Sequence, residues 1–330
     1  MSDTKRYATK NFYTFANAAW DDADRAERPK WPKTLKGMSA LERKQLNAER
    51  IAWLESMPPF TTSDMIEAHD QLDELLMIRK PGSQRCFGLV GEPHLGKTEI
   101  LSQYVYQYHR DHTDERPFAT EHEGDHYTPI PVVWVHTAST FKATMRRFVT
   151  FCGGKAKDSD TADILLKRAI EQVEDFGIEL VVFDDLHNLK GKGVASELKG
   201  LYEHLEHTTM LFTRTNDACA ALDAKSGGNQ TLHRTVWHEV LAPAASSEEW
   251  EERVARLELS MPWCNSKPQT GDYLELLHHR TSGRLGDLVM LFELITARLI
   301  KTNKNGPDIV TEELIESIKL PKDVNRRRVA

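Results

Sequence analysis

Two glycines, a lysine and a threonine stand in the run Gly91-Glu92-Pro93-His94-Leu95-Gly96-Lys97-Thr98, spaced as G-x-x-x-x-G-K-[ST]. Residues of these types at this spacing hold a chain of phosphates. The glycines let backbone N–H groups turn inward around an anion, and the start of a following helix adds its positive dipole end. Lys97 would lie against the β- and γ-phosphates of a nucleoside triphosphate, and the Thr98 hydroxyl would ligate Mg²⁺. An acidic pair, Asp184-Asp185, closes the apolar run Leu180-Val181-Val182-Phe183. Asp184 would hold the Mg²⁺ directly or through a water, and Asp185 would orient or deprotonate the attacking water. A glutamate side chain at that second position would reach one methylene further, and a misplacement of about 1 Å can cost on the order of 100-fold in rate. The sequence therefore predicts ATP and Mg²⁺ binding with slow or regulated hydrolysis.

The elements around these residues suit that chemistry. Cys86-Phe87-Gly88-Leu89-Val90 reads as a buried strand before the loop, and Glu99 to Val105 reads as the helix after it. Further apolar strands are expected at Ile130–Val135, Glu179–Phe183 and Thr209–Thr213, with helices between them. Strands alternating with helices predict a doubly wound parallel sheet of the α/β class. From Pro243 onward the pattern is helical only, with Ser246-Ser247-Glu248-Glu249 opening a helix that runs to about Ser260. Further helices are expected near 272–280, 285–301 and after Thr311. Before residue 60 lies an arm rich in charge and aromatics, in which Ser39-Ala40-Leu41-Glu42 starts a capped helix. The expected domains are an N-terminal helical arm at 1–60, a nucleotide-binding domain at 61–242, a small helical lid at 243–320 and a basic tail at 321–330.

The 330 residues carry a net charge of −7, which excludes a protein that is basic throughout but permits a local basic stripe. No apolar run approaches the ~20 residues that span a bilayer, and Met1-Ser2-Asp3-Thr4-Lys5-Arg6 lacks the apolar core of a secretory signal. Cys86, Cys152, Cys219 and Cys264 are scattered without C-x-x-C pairs, which favours reduced thiols in a cytoplasmic protein without membrane partners. His109, His112, His122 and His126 fall in a polar, loop-like stretch without metal-ligand spacing.

Four segments together carry a family resemblance. They are Gly91–Thr98, Asp184-Asp185-Leu186-His187-Asn188-Leu189, Thr213-Arg214-Thr215-Asn216-Asp217-Ala218, and Ser282-Gly283-Arg284-Leu285-Gly286-Asp287-Leu288. In this order the chain resembles the TniB/TnsC transposition regulators over about residues 60 to 320. These are P-loop AAA+ ATPases related to IstB and to the DnaA/Cdc6 initiator group.

The resemblance implies that Thr215 or Asn216 senses the attacking water or γ-phosphate, and that Arg284 is a lid sensor. It also implies that Arg234 is an arginine finger acting on a neighbouring subunit's nucleotide. Thr235 stands where the family usually has Phe after that arginine, so Arg234 is also readable as a surface arginine. Family members look like ATP-dependent polymers, rings or helical filaments, that coat duplex DNA and connect a target-selection protein to a transposase. For the DNA backbone the sequence offers Lys142, Arg146 and Arg147 on one helix face, with Thr140 and Thr144 as hydroxyl donors. Two other classes compete: a STAND-type signalling or defence NTPase switch, and a replication initiator or helicase loader.

Overall fold

The computed structural model describes residues 10–23, 28–59, 61–78, 86–113, 130–190, 194–205, 207–216 and 234–321. The chain forms two compact units. The first takes its described residues from Met1–Asp24, Ser63–Pro93 and Lys97–Val240; the second takes them from Arg25–Thr62, His94–Gly96 and Leu241–Ala330. The described residues among the first sixty are thus shared between the two units.

The first unit is built on a five-stranded, all-parallel sheet in the order β2-β3-β4-β1-β5. Its strands are β1 (Cys86–Val90), β2 (Val132–His136), β3 (Leu180–Asp184), β4 (Thr209–Arg214) and β5 (Thr235–Glu239). β1, β3 and β4 are buried along their whole length. Such runs of Val, Leu and Phe suit strands covered on both faces.

The helices of this unit are α1 (Lys10–Ala23), α3 (Ser63–Met77), α4 (Lys97–Asp111), α5 (Phe141–Phe151), α6 (Ala162–Phe176) and α7 (Val194–His204). α5 and α6 begin at Thr140 and Thr161, whose hydroxyls accept backbone N–H groups of the first turn. α6 stops at Gly177, whose φ of 64° is the left-handed cap that glycine adopts without cost. α1 buries Phe12, Phe15, Ala16 and Ala19. It packs on α4 through Phe12 and Phe15 against His109, and on α5 through both rings against Phe151.

The second unit is helical among its described residues. It holds α2 (Ala40–Ser56), α8 (Glu248–Ser260), α9 (Leu274–Thr281), α10 (Leu285–Thr302) and α11 (Glu312–Ser317). Its core gathers Trp250, Leu257, Met261, Leu277, Leu291 and Phe292. α2 joins it through Arg50, fully buried, which donates to Pro262 O at 2.6 Å and to Asp308 Oδ2 at 2.5 Å. The same Asp308 oxygen accepts the Cys264 N–H, so the buried charge pair is satisfied rather than orphaned. The Trp53 indole N–H reaches Ser260 O at 2.8 Å.

Two sequence expectations are corrected here. β5 is a strand that the apolar-run reading passes over, because only Thr235 and His238 of Thr235-Val236-Trp237-His238-Glu239 are buried. His109 lies inside α4 and is buried, not looped. His122, His126 and Cys219 lie outside the described residues. Cys86, Cys152 and Cys264 are free and buried. Among the described residues no helix is long and apolar enough to cross a membrane.

His109 makes one consequence measurable. It is 1% exposed, and neither ring nitrogen has a hydrogen-bond partner among the described residues. Burial pushes its pKa down to about 4, with Arg110 adding to the effect. The unfolded chain would bind a proton near pH 6.5, which the folded one refuses. The neutral ring's contribution is therefore complete above about pH 6.5 and is lost as pH falls toward 4. Between those limits the loss is about 1.4 kcal/mol per pH unit. Between about pH 7 and about pH 5, denaturant unfolding of wild type should lose about 2 kcal/mol more than His109→Leu. Equal losses would contradict the buried, neutral histidine.

Candidate nucleotide site

β1 ends at Val90, directly before the loop, and α4 begins at Lys97, so the last two residues of the loop open the helix. Parallel strands present their carboxyl ends to ligands, and the acidic pair at the end of β3 lies at that same edge. Parallel pairing sets Val90 beside Arg214 of β4 and Asp184 of β3 beside His136 of β2. The loop turns through His94 at φ 66° and Gly96 at φ 92°. Gly96 needs the freedom that only glycine has there.

Lys97 is 7% exposed and folds over the loop, donating to Gly91 O at 3.0 Å and Glu92 O at 2.6 Å. Burial lowers its pKa, opposed by the charges of Asp185, Asp184 and Glu92. Glu92 and Pro93 are exposed, whereas Gly91 and Leu95 are buried.

Asp184 is the centre of the site. The residue is 2% exposed, and its carboxylate takes three donors. Thr98 Oγ1 donates to Oδ1 at 2.9 Å, and Thr213 Oγ1 donates to the same oxygen at 2.6 Å. His136 Nδ1 lies 3.1 Å from Oδ2. Burial alone would raise the Asp184 pKa, yet the hydrogen bonds from His136, Thr213 and Thr98 outweigh it and hold the group below the usual carboxylate range. Its charge raises His136 in turn, chiefly through the hydrogen bond. An exposed threonine hydroxyl next to an ionised, buried carboxylate at the mouth of a glycine loop is a donor set fit for a hard, oxygen-liganded cation such as Mg²⁺.

Asp185 stands beside this centre in the left-handed region, φ 57°. Aspartate tolerates that conformation better than most residues. Its N–H donates to Thr213 Oγ1 at 2.7 Å, so one hydroxyl orders both acids. The Asp185 carboxylate is half exposed, 3.9 Å from His187 Nδ1.

The structure thus gathers Lys97, Thr98, Asp184 and Asp185. Thr215 is half-buried and Asn216 exposed, just beyond β4, while Thr213 is the polar residue of β4 that touches both acids. Arg234 is exposed, directly before β5, and its Nη1 donates to the Tyr202 hydroxyl at 3.3 Å. That hydrogen bond raises its pKa. Arg284 is half-buried at the N-cap of α10 in the helical unit.

The basic helix α5 departs from its expected surface. Thr144 is fully buried: it accepts the Ala138 N–H and donates to Thr140 O, so it faces no external phosphate. Four residues after the N-cap, it lies under the first turn rather than on the face of Lys142. Thr140 is exposed, and its hydroxyl accepts the Ala143 N–H while keeping its own proton to donate. Lys142 donates to Asp158 O, and Arg146 to Asp158 Oδ1 and Lys157 O. Arg147 turns away to His136 O at 2.6 Å.

Sequence reasoning missed Thr213 and His136. Both become visible only through strand register, since each is separated from Asp184 by tens of residues in sequence.

The fold is that of the AAA+ class, seen at low identity in three solved structures. Cdc6p of Pyrobaculum aerophilum is 14% identical with a TM-score of 0.55, covering 79% of this chain and 72% of its own. The Aeropyrum pernix ORC2 protein, in its ADPNP-ADP complexes, is 13% identical with a TM-score of 0.56, covering 82% and 70%. The Aeropyrum pernix ORC1 protein in complex with DNA is also 13% identical at 0.56, covering 84% and 70%. No curated protein sequence matches the chain. The family model described as "Bacterial TniB protein" matches residues 50–224. The chain belongs to the TniB family.

Thr213 offers a direct check on the site's construction. Thr213→Val keeps the volume but strips Asp184 Oδ1 and the Asp185 N–H of a partner. It should cost about 1–3 kcal/mol in denaturant unfolding. Thr215→Val, half-buried just past the strand, should stay within about 0.5 kcal/mol. Equal costs would show that Thr213 does not order the acids.

Proposed function

We propose that this chain is an ATP-dependent regulator of transposition, which binds ATP and Mg²⁺ in the Gly91–Thr98 loop and assembles with copies of itself on duplex DNA. As a ring or helical filament it links a target-selection protein to a transposase. One observation carries the nucleotide half of this reading: the Thr98 hydroxyl at 2.9 Å from the buried, ionised Asp184 carboxylate. Membership of the TniB family supports the transposition half.

In this reading Lys97 leaves the Gly91 and Glu92 carbonyls for the β- and γ-phosphates, and Thr98 and Asp184 flank the metal. When bound, Mg²⁺ neutralises charge on the phosphate oxygens. Asp185 orients the attacking water, Thr215 or Asn216 senses it, and Arg284 senses the γ-phosphate from the start of α10. Arg234 acts on a neighbouring subunit's nucleotide, exchanging its Tyr202 hydrogen bond for phosphate oxygens. Lys142, Arg146, Arg147 and Thr140 meet the DNA backbone without reading its sequence. Lys142 and Arg146 must first leave Asp158, and Arg147 must leave His136 O. DNA binding should therefore fall steeply with salt.

Electron microscopy with ATP and duplex DNA tests the whole reading. Rings or helical filaments on DNA support it, and monomers indifferent to DNA contradict it in favour of a signalling switch. Replacing both Lys142 and Arg146 with Ala should abolish DNA binding and spare ATP binding, and unchanged DNA affinity would remove α5 from the interface. ATP turnover should fall about 100-fold in Asp185→Asn, the scale of a lost or misplaced catalytic group. Equal turnover in wild type, Asp185→Asn and Asp185→Glu would remove that role.

A further inference from the structure

His94, in the middle of the phosphate loop, has a φ of 66°, where a Cβ is strained and glycine is not. Such strain persists only where the surroundings over-determine it, and it clusters at ligand clamps. Here the surroundings are the first turn of α10. His94 Nδ1 lies 2.9 Å from Asp287 Oδ1, and the His94 carbonyl accepts the Gly286 N–H at 2.8 Å. The Asp287 side chain is only 8% exposed, so water offers it little alternative. Gly286 admits this approach, since a Cβ there would lie 3.1 Å from His94 O and 3.4 Å from His94 Cβ. All these residues belong to the helical unit.

We propose that Asp287 is a positioning residue for the phosphate loop and acts through His94. Its hydrogen bond, with the one from Gly286, holds the loop's middle in the left-handed turn from which the amides of Leu95 to Thr98 receive a phosphate chain. The inference rests on the nucleotide reading of Gly91–Thr98. It goes further by assigning a loop-shaping role to a carboxylate in the helical unit that is itself outside the loop.

A double-mutant cycle tests it in the full-length protein, with ATP affinity measured by calorimetry. Asp287→Ala should weaken ATP about tenfold, the scale of coupling between contacting residues. Asp287→Asn, which keeps an acceptor oxygen, should recover most of that loss. In a His94→Gly background, where the turn needs no support, Asp287→Ala should change ATP affinity less than about twofold. The quantity read is this difference between backgrounds, whatever His94→Gly does alone.

Hydrogen exchange without nucleotide supplies an independent arm. Asp287→Ala should speed exchange of the 95–98 amides with His94 present, and leave it unchanged in the His94→Gly background. An Asp287→Ala effect that is equal in both backgrounds, or absent from both, overturns the proposal. Wild type that fails to bind ATP overturns the nucleotide reading instead, and the exchange arm still decides whether Asp287 shapes the loop.

Discussion

A carboxylate whose side chain is 3% exposed must be neutral or well supplied with donors, and Asp184 takes the second course. Its two oxygens receive Thr98 from the helix after the loop, Thr213 from β4 and His136 from β2. Those three donors come from elements that are distant in sequence and meet only through the parallel register of the sheet. The sheet therefore does more than bury apolar surface. It brings a threonine beside the phosphate loop to within hydrogen-bond reach of an ionised acid, which is the arrangement a nucleotide-bound cation would use. Thr213 then extends the same hydroxyl to the Asp185 N–H and fixes where the second acid begins.

Charge placement elsewhere follows the same rule. Arg50 and Asp308 are both fully buried in the helical unit, and they are tolerated because Pro262 O, Cys264 N–H and Asn303 share their hydrogen bonds. His109 departs from it: a buried ring whose two nitrogens have no partner among the described residues stays neutral instead. His94 shows the other cost a site can carry, strain in the backbone, held by two contacts to the start of α10.

Much of this was legible in the sequence for physical reasons. Continuous Leu, Val and Phe runs announce buried parallel strands, and Gly91–Thr98 and Asp184-Asp185 stand at the ends of two of them. Ser39, Ser247 and Thr311 announce helix starts that the structure shows as side-chain caps. β5 was not legible, because only Thr235 and His238 of its five residues are buried and its partner β1 lies far upstream. Thr144 was not legible as buried, because the basic residues around it suggest a solvated face, whereas its place after the N-cap at Thr140 turns it inward. Thr213 and His136 were invisible because their partners depend on register, which a single sequence does not display. Asp287 was hidden likewise, since its partner is a loop residue 193 positions earlier.

We propose that Thr98 and Asp184 form a Mg²⁺ site next to an ATP-binding loop. Calorimetric titration of ATP with and without Mg²⁺, on wild type and Asp184→Asn, measures it most directly. Mg²⁺ should strengthen ATP binding in wild type, and that strengthening should be lost in Asp184→Asn. The same Mg²⁺ dependence in both proteins, or no ATP binding by wild type, would contradict it.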